Sequence, residues 1–120
     1  MTFPLSFLVS FFRLVGGLTC MSSTENEYQA GLIKRITNRL PDCIILKNDP
    51  EYMQGVPDLL ILWNDRWAML ECKKSSNAKH RPNQDYYVNL MNRMSFASFI
   101  FPENEERVLN EMESALGISR

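Results

Sequence analysis

Residues 55–73 read GVPDLLILWNDRWAMLECK, and this stretch decides the fold that we predict for the chain. Two runs rich in apolar and aromatic residues, 58–63 and 66–72, have the composition of β-strands. Only Asn64 and Asp65 stand between them, and both residue types tolerate the positive φ of a two-residue type I′ turn. The pattern therefore predicts a β-hairpin.

The register of this hairpin determines where three polar residues lie. A two-residue turn places Asp58 directly opposite Glu71, with Cβ atoms about 5 Å apart. Lys73 lies two positions beyond Glu71, so its side chain projects from the same face of the strand. A three-residue turn would shift this register and separate the two carboxylates, so the prediction depends on the turn at Asn64-Asp65.

The sequence on either side of the hairpin adds helices and further strands. A first helix is predicted at 24–40, where apolar residues recur every four positions and Thr24 with Glu27 has the spacing of a capping box. We expect the remaining elements as a strand at 43–47, a helix at 83–94 with Pro82 in its first turn, a strand at 96–101 and a last helix at 103–116. The order is α-β-β-β-α-β-α. Because both faces of the hairpin strands are apolar, we expect an α/β fold whose sheet is covered by helices on both sides.

The length and charge of the chain limit what it can be. Its 120 residues suit one domain of ordinary size. The formal net charge is −1, so overall charge gives no argument for a nucleic-acid partner. A local basic cluster does, because nine positions without an acid hold five basic residues, Lys73, Lys74, Lys79, His80 and Arg81. We expect the last four of these to contact DNA phosphates.

The first twenty residues differ from the rest of the chain. Residues 3–18 (FPLSFLVSFFRLVGGL) are apolar, but no positively charged region precedes them, and Arg13 interrupts a run that is already short for a membrane span. From Met21 the sequence becomes polar. We interpret residues 1–20 as an apolar extension that results from a start assigned too early, with 21–120 as one domain. A processed leader or anchor and a packed N-terminal segment are the alternatives.

The cysteines point to a reducing environment. Cys20, Cys43 and Cys72 are far apart and form no CxxC pair. An odd number at this spacing argues against a disulfide framework and against a structural zinc site. We therefore expect an intracellular, cytoplasmic protein.

Two opposed carboxylates predict a cation between them. Like charges this close destabilise a fold and raise one pKa unless a positive charge intervenes. Mg²⁺ prefers oxygen ligands and commonly uses only one or two protein carboxylates. Asp58 and Glu71 would be those ligands, the backbone carbonyl of Cys72 would add a third oxygen, and Lys73 would bind the attacking water or the phosphate.

At these residues the chain resembles the PD-(D/E)xK nuclease superfamily. Pro57-Asp58 matches the first half of that motif and Glu71-Cys72-Lys73 the second. Gly55 before the motif and Gln84 after it make the chain similar to the virus-type replication-repair nuclease (VRR-NUC) family over residues 25–112. The resemblance implies a restriction-endonuclease-like αβββαβ core with a central mixed sheet, here followed by a C-terminal helix.

The resemblance also implies an activity and further site residues. Members of the family are Mg²⁺- or Mn²⁺-dependent nucleases, and small phage and bacterial members are linked to branched DNA such as Holliday junctions. The family places an acid of the first helix at the metal, which here is Glu27 or Glu25; we take Glu27, although its capping-box spacing explains it without catalysis. Gln84 matches a glutamine near the active site, although it could also cap its helix. Lys74 directly after Lys73 departs from the family pattern.

Two functions from different classes fit the sequence. The first is a metal-dependent DNA endonuclease selective for branched DNA, acting as a homodimer because so small a domain has no separate recognition module and junction cleavage needs two cuts. The alternative is a non-catalytic DNA-binding or accessory subunit that keeps the nuclease fold, which would not need paired carboxylates. A membrane-anchored protein that uses residues 3–18 is a third reading, but we expect no membrane partner.

Overall fold

The computed structural model describes residues 24–119 and shows the predicted order of elements. The helices are α1 (Glu25–Arg39), α2 (Gln84–Met94) and α3 (Glu105–Ala115), and a 3₁₀ turn, Pro102–Asn104, precedes the last. The strands are β1 (Ile44–Lys47), β2 (Leu59–Trp63), β3 (Arg66–Cys72) and β4 (Phe96–Ile100). The interpretation of residues 1–20 lies outside the described residues. Within 24–119, none of the helices has the length and apolar composition needed to cross a membrane.

The four strands form one mixed sheet in the order β1-β2-β3-β4. β1 pairs with β2, and β2 with β3, in antiparallel orientation, whereas β3 pairs with β4 in parallel. A parallel pair needs a crossover connection, which α2 provides between β3 and β4. The α/β fold class, with a mixed sheet and a C-terminal helix, is therefore confirmed.

The hairpin has the predicted register. Leu59 pairs with Leu70 and Trp63 with Arg66, so two residues close the turn. The turn type was predicted incorrectly, because Asn64 has a φ of 58° while Asp65 does not adopt positive φ. A type I′ turn requires positive φ at both central residues. The length of the turn, rather than its type, sets the register, so Asp58 still reaches the end of β3.

One face of the sheet forms the hydrophobic core with α1 and α3. Alternate residues of β2 and β3 point to this face, as the period of two requires. Each fully buried leucine or isoleucine side chain contributes about 1.5–3 kcal/mol to stability. The buried cluster consists of Tyr28, Leu32, Ile36 and Leu40 near α1, Leu59, Ile61, Ala68, Leu70, Cys72 and Ile100 on the sheet, and Val108, Leu109, Met112 and Leu116 near α3.

The opposite face carries α2, so helices lie on both sides of the sheet as predicted, but α2 does not extend over β1. α2 contacts β4 and β3. At the β1 end of the sheet Ile44 remains 57% exposed and Leu46 46% exposed. These residues pair with Leu62 and Leu60, which are only half-buried. Apolar residues on a strand face therefore do not show that a helix covers the whole of that face.

Ion pairs hold α1 against α3. Arg35 donates to Glu105 through Nε at 2.6 Å, and the Tyr28 hydroxyl donates to the same carboxylate at 2.8 Å. Further along, Arg39 donates to the buried Glu113 at 2.8 Å. Because α1 is fixed along its length, its first turn has a defined position beside the end of the hairpin.

The two helix starts near the hairpin have different origins. α1 begins with the predicted capping box, in which Thr24 Oγ1 accepts from the Glu27 N–H and the Thr24 N–H donates to Glu27 Oε1. α2 begins at Gln84, so Pro82 lies before the helix and not in its first turn as predicted. The N-cap Asn83 has a φ of 72° and makes no side-chain cap bond.

A glycine contact explains this unusual helix start. Gly55, with a φ of 92°, lies so close to Asn83 that a Cβ at residue 55 would be 2.6 Å from the Asn83 Cβ. The loop before β2 thus packs directly on the start of α2, and only glycine allows both the conformation and the approach.

Candidate active site

Asp58 lies just before β2 and reaches across to the end of β3. Its backbone carbonyl accepts a hydrogen bond from the Asn48 N–H at 2.8 Å, which continues the pairing with the β1 side. Its Oδ2 accepts from the Cys72 N–H at 3.0 Å. The carboxylate therefore lies beside the Glu71-Cys72 peptide, where the hairpin register placed it.

Glu71 is a buried carboxylate with one unsatisfied oxygen. The residue is 2% exposed. Oε2 accepts a hydrogen bond from Gln84 Nε2 at 2.8 Å, whereas Oε1 is buried and has no hydrogen-bond partner among residues 24–119. Burial, and next the charge of Asp58, raise the pKa of Glu71 from 4.5 to about 8. Burial also raises the pKa of Asp58.

Lys73 is the buried member of the lysine pair. It is 2% exposed, whereas Lys74 is exposed. Its N–H donates to the Ile100 carbonyl at 2.9 Å, which extends the pairing of β3 with β4. Its Nζ donates to the Lys79 carbonyl at 2.9 Å and lies 4.0 Å from Glu25 Oε2. The ammonium group is thus held beside the carboxylates.

Gln84 connects Glu71 to the loop before α2. Its Oε1 accepts from the Arg81 N–H at 2.8 Å, and its Nε2 donates to Glu71. Because the carbonyl oxygen is engaged by a backbone N–H, the amide nitrogen must face the carboxylate. Gln84 is not the N-cap of its helix, since Asn83 occupies that position. Its side chain orients Glu71.

The acid of α1 that lines the site is Glu25, not Glu27. Glu27 completes the capping box with Thr24. The cavity beside Asp58 and Glu71 is lined by Glu25 and not by Glu27. Our choice of Glu27 as a metal-site residue is therefore not supported by its position, because its carboxylate turns back to the helix start. A helix of 3.6 residues per turn cannot present both acids to the same side.

The carboxylates line a cavity of about 550 Å³, which we call the acidic cleft. Its charged walls are formed by Glu25, Asp58, Glu71 and Arg81. The rest of its lining comes from the first turns of α1, from loop residues between 50 and 56, and from the start of α2. The cleft is large enough for part of a nucleotide chain together with water, and its negative charge favours a cation.

A second cavity of about 620 Å³ adjoins it, and we call it the basic groove. All four residues that we expected at DNA phosphates line this groove, namely Lys74, Lys79, His80 and Arg81. The basic groove and the acidic cleft share Thr24, Glu25, Arg81 and Pro82. Carboxylates and basic residues therefore lie along one continuous surface.

The donor set fits a hard divalent cation bound mainly by water. Residues 24–119 contain no group of three or more His, Cys, Asp or Glu side chains arranged around a metal. Mg²⁺ does not need such a group, since it commonly keeps several waters and uses one or two carboxylates. Asp58 and the unsatisfied Oε1 of Glu71 provide these, and Cys72, which follows Glu71 directly, has the backbone carbonyl predicted as a third oxygen. The Cys72 thiol is no candidate, because it lies in the core and burial raises its pKa.

Three features of the site were not found from sequence. The sequence does not decide whether Glu25 or Glu27 faces the site, although Glu25 lies one residue after the N-cap. The contact of Gly55 with Asn83 and the stacking of His80 on Phe99 join residues far apart in sequence, so no local pattern predicts them.

No family model matches the chain, and no curated protein matches it.

Proposed function

We propose that this protein is a metal-dependent DNA endonuclease that hydrolyses phosphodiester bonds at the acidic cleft. The observation that carries the proposal is the buried Glu71 carboxylate, whose Oε1 has no partner within residues 24–119 although Asp58 and Lys73 lie beside it. A buried carboxyl oxygen without a hydrogen-bond partner is costly, and a bound cation would offset that cost.

The two carboxylates favour Mg²⁺ or Mn²⁺ as that ligand. Burial raises the pKa of both Asp58 and Glu71, and the charge of Asp58 raises the pKa of Glu71 further; a bound cation would favour the charged form of both carboxylates. Asp58, Glu71 and the Cys72 carbonyl would hold it. When bound, such a cation lowers the pKa of a coordinated water and offsets the negative charge that develops on the phosphoryl oxygens.

The other polar residues have separate tasks. Lys73 Nζ lies 4.0 Å from Glu25 of the cleft wall. An ammonium group has three donors, so Lys73 would keep its bond to the Lys79 carbonyl and use another N–H to bind a phosphate oxygen or to orient the attacking water. Gln84 fixes the Glu71 carboxylate through Oε2 and leaves Oε1 for the cation. Glu25 Oε2, 4.0 Å from Lys73 Nζ, is an ion-pair partner that helps to position that ammonium group.

DNA as the substrate is supported by the basic groove and by the resemblance to the VRR-NUC family. Phosphate contacts from Lys74, Lys79, His80 and Arg81 would position the strand. We further propose selectivity for branched DNA of the Holliday junction type and action as a homodimer. Both proposals rest on the resemblance and on the small size of the domain. An intracellular location is consistent with the free cysteines Cys43 and Cys72.

A substrate panel tests the proposal. The full chain is incubated in Mg²⁺ with a four-way junction, a flap, a nicked duplex and a single strand. We expect the junction to be cut, and we expect Asp58→Asn and Lys73→Ala to abolish cutting while circular dichroism shows an intact fold. Lys34→Ala is the matched control, because it removes an exposed lysine of α1 that lines neither cavity. Undiminished cutting by both site variants would refute the assignment.

A further inference from the structure

The loop that carries the basic residues is attached to the active site at two points. The Lys79 carbonyl accepts from Lys73 Nζ at 2.9 Å, and the Arg81 N–H donates to Gln84 Oε1 at 2.8 Å. His80 lies between these two attachments. Its backbone position is thus fixed by Lys73 on one side and by Gln84, which orients Glu71, on the other. The basic loop therefore has a defined place beside the site.

The His80 side chain is held as firmly as its backbone. Its Nδ1 lies 2.8 Å from Asp85 Oδ1. Its ring stacks on Phe99 with centroids 4.0 Å apart and an interplanar angle of 15°. No partner for Nε2 exists among residues 24–119. An imidazole oriented by a carboxylate and an aromatic ring, with the other nitrogen free, is arranged to contact a ligand.

The stacking partner places His80 close to the carboxylates. Phe99 of β4 pairs directly with Glu71 of β3. Adjacent strands are about 4.8 Å apart, so the ring of Phe99 stands one strand spacing from Glu71. His80 covers that ring. It therefore lies on the β4 side of Glu71.

In the part of the chain that the structure describes, the basic side chains that line the cleft or the adjoining groove all come from residues 74–81. Lys74, Lys79, His80 and Arg81 line the basic groove. The loop residues that contribute to the cleft before β2 are uncharged: Pro50, Gln54, Gly55 and Val56. A strand that crosses the cleft would meet basic side chains on one side of the reaction centre and uncharged side chains on the other.

We propose that the basic groove is a binding site for the backbone phosphate next to the scissile one, on one side of it only, with Lys79 and His80 as the principal contacts. This proposal rests on the proposed nuclease function and specifies how that site sets the position of its substrate strand. Phosphate contacts fix register without reading sequence, so the groove would select where a branched substrate is cut and not which bases are cut.

A scan with neutral phosphates tests this. Four-way junctions are prepared in which one strand carries a single uncharged methylphosphonate at successive positions along its whole length, which includes both sides of any cut that the wild-type chain makes. Binding is measured in EDTA by fluorescence anisotropy, and cutting is measured in Mg²⁺. A methylphosphonate at the contacted phosphate removes a charge-assisted contact. We expect it to weaken binding about tenfold at one position, on one side of the cut, and to have little effect at the other positions.

A double variant identifies the protein side of the contact. Lys79→Ala with His80→Ala should weaken binding of unmodified DNA by a similar factor and should be insensitive to the methylphosphonate at the decisive position. Lys34→Ala should keep the full sensitivity. Equal sensitivity on both sides of the cut, or full sensitivity in the double variant, would overturn the proposal. If the wild-type chain cuts no substrate in Mg²⁺ or Mn²⁺, the nuclease function fails instead, while the anisotropy scan still reports on the groove.

Discussion

Gln84 Nε2 lies 2.8 Å from Oε2 of Glu71, and this single bond divides the carboxylate into one satisfied oxygen and one unsatisfied oxygen. The donor cannot rotate away, because Gln84 Oε1 is engaged by the Arg81 N–H. The relationship joins the start of α2 to the end of β3. It also explains how a buried carboxylate can be held in one orientation before any ligand arrives.

The role of Gln84 as an orienting residue predicts a loss of activity on its removal. Gln84→Met keeps the size of the side chain but removes both hydrogen bonds, and residues that orient metal ligands typically change metal affinity or activity by about 10- to 100-fold. We expect a decrease of that size in the rate of junction cutting in Mg²⁺. Gln54→Met, in the same cleft but exposed, is the control. Equal rates for the two variants would remove Gln84 from the site.

The raised pKa of Glu71 predicts that stability falls as pH rises. The unfolded chain releases this proton near 4.5, whereas the folded protein keeps it to about 8. The folded state therefore binds more protons between these values, and the free energy of unfolding decreases with pH there by at most about 1.4 kcal/mol per pH unit. The raised pKa of Asp58 acts in the same direction. Urea denaturation in EDTA from pH 5 to 8 measures the slope.

Neutralising Glu71 provides the comparison for this slope. Glu71→Gln removes the titrating carboxylate, so we expect the slope to become shallower and the variant to be more stable than the wild type at pH 7.5 in EDTA. Mn²⁺ should stabilise the wild type most at high pH, where the carboxylate is free to bind it. A wild-type slope identical to that of Glu71→Gln would mean that Glu71 titrates normally.

The two acids in the first turn of α1 should have separable roles. Glu25→Gln removes the carboxylate 4.0 Å from Lys73, and we expect cutting to fall by at least about tenfold. Glu27→Gln keeps a capping-box residue type at that position, and we expect cutting to be retained with less than about 1 kcal/mol of stability lost. Both changes remove one negative charge from the same helix start, so effects on the helix dipole cancel in the comparison. Cutting that is lost in Glu27→Gln and retained in Glu25→Gln would instead place Glu27 at the site.

The sequence predicted the arrangement of three polar side chains, because the hairpin register alone determines it. Asp58, Glu71 and Lys73 follow from a two-residue turn and a period of two, and the structure has that turn even though only Asn64 adopts positive φ. The alternation also distinguished Lys73 from Lys74. These inferences depend only on neighbours along one hairpin.

The features that were missed depend on contacts between distant segments. Pro82 is predicted in the first turn of α2, but Asn83, which Gly55 contacts, has a left-handed conformation and the helix starts at Gln84. Capping-box spacing identified the start of α1 correctly and still did not decide which acid faces the cleft. The exposure of Ile44 shows the same limitation, because composition does not reveal where a helix ends over a sheet.

Gly55 predicts a specific sensitivity to alanine. At a φ of 92°, and with a Cβ that would lie 2.6 Å from the Asn83 Cβ, Gly55→Ala must displace the start of α2. We expect a loss of about 1–3 kcal/mol in unfolding free energy and reduced cutting, because Gln84 follows Asn83 directly. Gly31→Ala is the control. Its Cβ would meet only the flexible end of Arg35, and alanine is favoured inside a helix, so this variant should be at least as stable as the wild type.

Calorimetric titration of Mn²⁺ into the metal-free chain tests the central claim most directly. If Asp58 and Glu71 hold a divalent cation, the wild type binds Mn²⁺ at one saturable site, and Glu71→Gln loses that binding while its circular dichroism spectrum is unchanged. A wild-type chain that binds no Mn²⁺, or a Glu71→Gln variant that binds it as tightly as the wild type, would contradict the account. The first of these results would favour the non-catalytic DNA-binding subunit instead.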